Sequence, residues 1–253
     1  MKAARSLGRL VALVALSALA LQAYFFARIA LMIAVDPQST TFQRSEAWRL
    51  ATQKPAWSWQ QRWVSYDRIA PSLKRAVIAS EDAGFTEHSG VEWDAIEKAW
   101  ERNQKAEAEA DRRAQDAARR GAAPRAPPPP PRVVGGSTIS QQLAKNLFLG
   151  GERNFARKAQ EVVITEFLET LLGKERILEI YLNSVEWGEG VFGADAAARH
   201  YFKVGADALS PSQAARLAVM LPAPKRFEKR PASPYLLGRA ATVLARMAAV
   251  DVP

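Results

Sequence analysis

Three short segments of this 253-residue chain carry polar side chains at spacings suited to chemistry. In the first, Glu81-Asp82-Ala83-Gly84-Phe85-Thr86-Glu87-His88-Ser89-Gly90, an apolar run delivers an acidic pair. Leu73, Ala76, Val77 and Ser80 fall at the three-and-four spacing of a helix that ends near Glu81-Asp82, ahead of Gly84. The C-terminal end of a helix disfavours an anion, and adjacent carboxylates repel. Both effects hold a proton more tightly, as a general base near neutral pH requires. The plainer alternative is a surface acidic pair on a frayed helix end.

The second segment runs Gly135-Gly136-Ser137-Thr138-Ile139-Ser140-Gln141-Gln142-Leu143-Ala144-Lys145-Asn146. Two glycines followed by hydroxyls suggest a helix start whose open backbone N–H groups accept an anion, phosphate included. Thr138, Gln142 and Lys145 share one helical face by their i, i+4, i+7 spacing. The alternative is an ordinary capping box between Thr138 and Gln141. The third segment, Arg157-Lys158-Ala159-Gln160-Glu161, opens a long helix with Val163, Ile164, Phe167, Leu168 and Leu171 as its core face. Arg157 and Lys158 lie four and three residues from Glu161, so two cations and a carboxylate share a face. As a surface salt bridge this would contribute only about 0.2–0.5 kcal/mol.

Composition excludes much else. With no Cys, disulfide scaffolds, thiolate metal sites and thiol nucleophiles are out, and His88 and His200 are too few for a multi-histidine centre. The net charge is +9, but residues 1 to 35 hold Lys2, Arg5, Arg9 and Arg28 and no acid. The remainder has 31 basic residues against 26 acidic ones, a mild excess with no RNA-binding motif or basic recognition helix, so no nucleic-acid partner is expected.

The elements that must position the three segments are mainly α-helical. Residues 1–9 read as a cytoplasmic tail and 10–35 as a transmembrane anchor, LVALVALSALAL followed by Gln22 and AYFFARIALMIAV. The stretch is long enough to cross a hydrocarbon core of about 30 Å. Lys2, Arg5 and Arg9 keep the N-terminus cytoplasmic by the positive-inside rule, with Arg28 snorkelling at the outer end. A signal peptide cleaved at Ala18-Leu19-Ala20 is the alternative. Residues 36–70 read as a membrane-proximal connector, whose Trp48, Trp57, Trp59 and Trp63 are expected to pack on the domain rather than meet lipid.

Residues 71–250 form the main domain. Its helices are expected at 138–149, 153–172, 174–184, 190–202, 211–220 and 234–249, with no convincing strands. Another helix starts near Trp93, carries Ile96 and Trp100, and runs into a charged, Pro-rich insert, 101–132. That insert lacks an apolar face and reads as a solvated helical extension followed by a stiff loop through Pro127 to Pro131.

Together the motifs resemble, in order, those of the family-51 glycosyltransferases, the peptidoglycan polymerases, and among them the monofunctional members. EDAGFTEHSGVEWDAIEKA from Glu81, GGSTISQQLAKNLFL from Gly135 and RKAQEVVITEFLETLLGKERILEIYLN from Arg157 carry the resemblance. VEWGEGVFGADAAARHYF from Val185 and SPSQAARLAVMLPAP extend it, so that it covers residues 60 to 245. The Ala/Pro-rich link before Gly135 is longer than usual, and no transpeptidase domain is evident, which implies polymerisation without cross-linking.

The resemblance implies a lysozyme-like helical domain behind one transmembrane helix, in the bacterial inner membrane with the catalytic part periplasmic. It implies lipid II and undecaprenyl-diphosphate-linked glycan as substrates, with cell-wall synthesis or division proteins as partners. Glu81 would be the general base. Lys145, Arg157 and Lys158 would receive the leaving diphosphate, while Ser137, Thr138, Gln142 and Asn146 orient the donor. Glu161 would orient the acceptor, steady a metal or tune the cations, and Asp82, Phe85 and His88 would support the Glu81 loop. No cofactor is obligatory, although Mg²⁺ or Mn²⁺ at the diphosphate is open. Apolar side chains near the site, Phe148 and Leu149, are expected to dip into the membrane. The rival functions are a lysozyme-like or lytic hydrolase and an inactive glycan-binding scaffold. A hydrolase has no use for a diphosphate site, and intact polar motifs count against an inactive scaffold.

Overall fold

A computed structural model describes residues 2–92, 136–152 and 154–253, together with the helical positions 97, 101, 104, 105, 108, 109 and 112. The expected helix start at Trp93, Gly135 and Pro127 to Pro131 lie outside the described residues. Within the insert, the described positions 101, 104, 105, 108, 109 and 112 are helical and exposed, as a solvated extension requires.

The first helix, α1 (Lys2–Leu31), contains the one stretch among the described residues long and apolar enough to cross a membrane, Ser6–Leu31, of mean hydropathy 2.1. Its leucines as far as Leu21 are exposed, but beyond Gln22 one face is covered by protein. Phe25, Ile29 and Met32 repeat at helical spacing and are buried. Gln22 and Gln160 exchange amide hydrogen bonds of 2.9 Å in both directions, and Phe26 meets Phe167 edge-on at 5.5 Å. Arg176 closes the junction, donating to the Met32 carbonyl at 2.9 Å and pairing with Asp36 at 2.8 Å. Phe148 packs edge-on against Phe25 of the anchor helix at 5.3 Å. Leu149 is half-buried, and Phe155 is the aromatic that stands clear, 96% exposed.

Residues 36–70 are more than a connector. Thr40 opens α2 (Thr41–Gln53) with a capping box to Gln43, whose amide donates onward to the Ser184 carbonyl at 3.2 Å. A short strand, β1 (Gln60–Gln61), then pairs parallel with β3 (Val191–Phe192), which pairs antiparallel with β2 (Glu186–Gly188). These strands were not expected, since two or three residues display no alternating pattern. Gly190 in the β2–β3 turn has φ +74°, and a Cβ there would lie 2.2 Å from the Ser58 carbonyl oxygen, so only glycine lets the two chains close. The tryptophans divide. Trp59 stacks on Phe192 and Trp63 is half-buried under Arg176, whereas Trp48 and Trp57 remain exposed against expectation.

The main helices follow closely. They are α3 (Pro71–Glu81), α4 (Ile139–Phe148), α5 (Phe155–Leu171), α6 (Lys174–Ser184), α7 (Ala194–Phe202), α8 (Pro211–Met220), the single turn α9 (Pro224–Phe227) and α10 (Pro234–Arg246). The expected helix 190–202 starts late because Val191 and Phe192 are spent in β3. The expected 234–249 finishes as a 3₁₀ turn, Met247–Ala249. Val163, assigned to the core, is on the exposed side of α5, while Ile164 and Leu168 are fully buried. α3 lies against α8 and α10, and Leu73, Ala76 and Val77 of α3 are buried in the same core as the small Ala214, Ala215 and Ala218 of α8. Small residues let the backbones approach, and each buried Leu or Val contributes about 1.5–3 kcal/mol. That packing fixes the direction in which α3 delivers its last residue, Glu81.

A cleft between a desolvated carboxylate and paired cations

α3 stops at Glu81 because Asp82 leaves helical geometry as its C-cap. The Asp82 carboxylate joins the ends of two helices. Its Oδ1 is 2.8 Å from His88 Nε2, and its Oδ2 accepts the Ile139 backbone N–H at 2.9 Å. His88 Nδ1 accepts the Gly90 N–H, so the neutral ring carries its proton on Nε2 and donates it to Asp82. Phe85 is fully buried beneath Lys174, whose ammonium lies 4.6 Å from the ring centroid. Asp82, bonded also by His88, therefore ties the end of α3 to the start of α4.

This arrangement corrects the expected anion site at the start of α4. Two of its N–H groups are engaged, since Ile139 donates to Asp82 and Gln141 donates to the Thr138 hydroxyl. Thr138 is buried, its hydroxyl donating to the Gly90 carbonyl at 2.6 Å, and its box with Gln141 is the plain cap that the sequence also allowed. The helical face it shares with Gln142 and Lys145 is covered at that end. Ser137 is exposed and lies outside the cleft lining.

Further along α4 the face opens into a cleft of about 780 Å³, lined by Gln142, Lys145 and Asn146 together with Arg157 and Tyr181. Gln142 donates to Glu81 Oε2 at 3.0 Å, and its amide oxygen accepts the Tyr181 hydroxyl at 2.9 Å. The tyrosine thus sets which way the amide points, with its NH₂ towards the carboxylate. Burial pushes the Glu81 carboxyl up from its ordinary pKa and Asp82 adds to the rise, while hydrogen bonds from Gln142 and Ser80 oppose it.

The cations gather on the far side of Gln142. Glu161 is buried and engaged by both Arg157, at 2.7 Å, and Lys158. One carboxylate between two cations leaves a net positive patch. Arg157 reaches the cleft with its Nε buried and without a hydrogen-bond partner. Lys145 keeps surface open to solvent, yet the protein packed around it lowers its pKa; Glu161 counters this, and Arg157 and Lys158 lower it further. Lys145, Arg157, Lys158 and Glu161 thus form one charged neighbourhood on α4 and α5. Glu81 on α3 is outside the cleft lining and joins it through its hydrogen bond from Gln142.

A family model described as Transglycosylase matches residues 49–113 and 129–248. The chain belongs to the transglycosylase family. It is 51% identical over 242 residues to the biosynthetic peptidoglycan transglycosylase of Paraburkholderia xenovorans, covering 96% of this chain and 91% of that protein. Proteins of the same name match from Burkholderia pseudomallei, 51% identical over 93% of this chain and 83% of theirs, and from Bordetella avium, 50% identical over 86% and 83%. The mainly helical body is the lysozyme-like domain of this transglycosylase family.

Sequence reasoning missed part of this transglycosylase cleft. Tyr181 was hidden among the apolar residues of α6. Glu46 and Glu186 form a second wall with Thr41, Phe42 and Ser45, all of them in segments read as connector or unassigned loop. Lys225 bridges the two carboxylates. The buried carboxylate of the cationic patch, Glu161, is paired through one oxygen with Arg157 and through the other with Lys158. Asp82, His88 and Glu92 bring potential ligand atoms within 4.8 Å of one another, but Asp82 and His88 already bond each other.

Proposed function

We propose that this chain is a peptidoglycan glycosyltransferase of cell-wall synthesis that polymerises lipid II into β-1,4 glycan strands. The reading rests on a desolvated carboxylate, Glu81, hydrogen-bonded by Gln142, which lines the same cleft as Lys145 and Arg157. Glu81 takes the proton from the 4-hydroxyl of the acceptor N-acetylglucosamine. That oxygen forms a bond to C1 of the donor N-acetylmuramic acid as the bond from C1 to the diphosphate oxygen breaks. One in-line displacement inverts the centre from α to β, as in glycosidases that form no covalent intermediate. Negative charge grows on the departing lipid diphosphate, and Lys145 and Arg157 line the cleft to receive it. Asn146, beside them, orients the donor. Glu161 holds Arg157 and Lys158 in place rather than donating a proton, because diphosphate leaves without one. A divalent ion accompanying the diphosphate would be held by the phosphate oxygens and would neutralise part of their charge.

The topology belongs to the same proposal. α1 anchors the protein in the inner membrane by a single pass, with its basic N-terminus cytoplasmic and the cleft periplasmic. Both substrates are lipid-linked, so confinement to their plane raises their effective concentration. Purified full-length protein given lipid II should yield glycan strands, and Glu81→Gln should abolish them. Shortening of preformed strands without synthesis would establish a hydrolase instead.

A further inference from the structure

Behind the general base stands a phenol that touches it only through an amide. Tyr181 belongs to α6, which also buries Ile177, Leu178 and Leu182, and it is itself 1% exposed. A hydroxyl so deeply placed needs a partner, and it has the Gln142 amide oxygen at 2.9 Å. Among the described residues it makes no other hydrogen bond. The nitrogen end of that amide meets acceptors only: Glu81 Oε2 at 3.0 Å and the Ser137 carbonyl oxygen at 3.5 Å. Three neighbours thus agree on one orientation, oxygen to the phenol and NH₂ to the carboxylate. Turning the amide over would leave the Tyr181 proton without an acceptor and set an amide oxygen against a carboxylate. Nor does the phenol change roles by losing its proton. Burial, reinforced by Glu81 and Asp82, raises its pKa well above the ordinary value, so it remains a donor.

We propose that Tyr181 is a positioning residue for the general base: by engaging the Gln142 amide oxygen, its hydroxyl keeps a donor rather than an acceptor turned to Glu81. This rests on the polymerase reading above and adds a reason why the carboxylate is available as a base. An ionised Glu81 needs a donor, which the locked amide supplies. A protonated Glu81 would instead donate, and an amide free to turn would offer its oxygen to receive it. A free amide therefore serves both forms, whereas the locked one serves only the base. The lock works with the bond from Ser80 and against burial and Asp82, which raise the Glu81 pKa. The other titratable groups nearby are engaged elsewhere. His88, on the loop beyond α3, bonds Asp82, and Lys145 on α4 is set among Glu161, Arg157 and Lys158.

The test is the pH dependence of lipid II polymerisation by the full-length protein in detergent. Tyr181→Phe keeps the ring and removes the hydroxyl. The acid limb of its kcat profile should move up by about one pH unit, with KM within about twofold of wild type. On that limb kcat should fall by up to about tenfold and recover in alkali. Gln142→Leu should shift the limb at least as far, and adding Tyr181→Phe to it should shift it no further, because the hydroxyl acts only through the amide. A folded Tyr181→Phe protein whose limb stays in place overturns the proposal, even with kcat reduced, since a merely structural role lowers kcat alike at every pH. A second shift in the double variant overturns it too. Should Tyr181→Phe not fold, fluorotyrosine in place of Tyr181 decides. Its more acidic hydroxyl polarises the amide further, so the limb should move to lower pH, and an unmoved limb overturns the proposal. Wild-type protein that makes no strands would instead overturn the polymerase reading, and this one with it.

Discussion

Replacing Glu186 by Gln should stabilise the protein above neutral pH and leave it unchanged in acid. The ordinary carboxyl value of 4.5 rises to about 7 in the folded state, a difference of about 2.5 pH units. At 1.36 kcal/mol per unit, the buried charge costs at most about 3.4 kcal/mol, and relaxation of an open cleft wall reduces this to about 1.5–3. The sign follows from proton counting. Between pH 4.5 and about 7 the folded state binds more protons than the unfolded one, so stability falls as pH climbs through that window. Below it both states are protonated and the cost vanishes. Gln keeps the shape without the charge, and Lys225 keeps Glu46 as its partner. In thermal melts followed by circular dichroism, Glu186→Gln should raise Tm by about 4–10 °C at pH 8 and by less than about 2 °C at pH 4.5. A variant less stable than wild type at pH 8, or shifted equally at both pH values, would mean that attraction to Lys225 and Arg49 outweighs burial.

Two tests bear on the first segment. Gln142→Leu removes the hydrogen bond that holds the Glu81 pKa down, so the acid limb of the pH–rate profile should move to higher pH. At pH 7, kcat should drop about tenfold or more, with partial recovery in alkali. Asp82→Asn cannot serve both His88 and the Ile139 N–H equally well and should cost about 1–3 kcal/mol in denaturant titrations. Lys145→Ala should lower kcat about 10²–10³-fold in the polymerisation assay, as loss of a charge aimed at a developing anion does. For membrane contact, Phe155→Ser should weaken liposome binding, whereas Phe148→Ser should lower Tm with liposome binding unchanged.

What was legible in the sequence depended on distance along the chain. α3, α4, α5, α6 and α8 declare themselves by apolar residues three and four apart, and the Thr138–Gln141 cap is written within four residues. α2 does not, because it buries only Gln43 and Leu50. Thr138, Gln142 and Lys145 do share a face. Spacing could not reveal that Asp82 and Gly90, from another segment, cover its first turn. Glu46, Glu186 and Lys225 look like ordinary surface residues until folding brings three remote segments to one wall. Tyr181 was invisible for the opposite reason, since a tyrosine on a buried helix face looks like core until its hydroxyl is seen to reach Gln142.

The amide exchange between Gln22 and Gln160 has a consequence for depth in the bilayer. Helical rise gives the stretch from Ser6 to Leu21, whose leucines are exposed, a length of about 24 Å, shorter than a hydrocarbon layer of about 30 Å. Under the proposed topology, about one further turn must therefore be immersed, and that turn is already clasped to α5. The body is then not a float on a tether but a partly sunken hull. Its waterline would be set by a glutamine pair and not by the span alone.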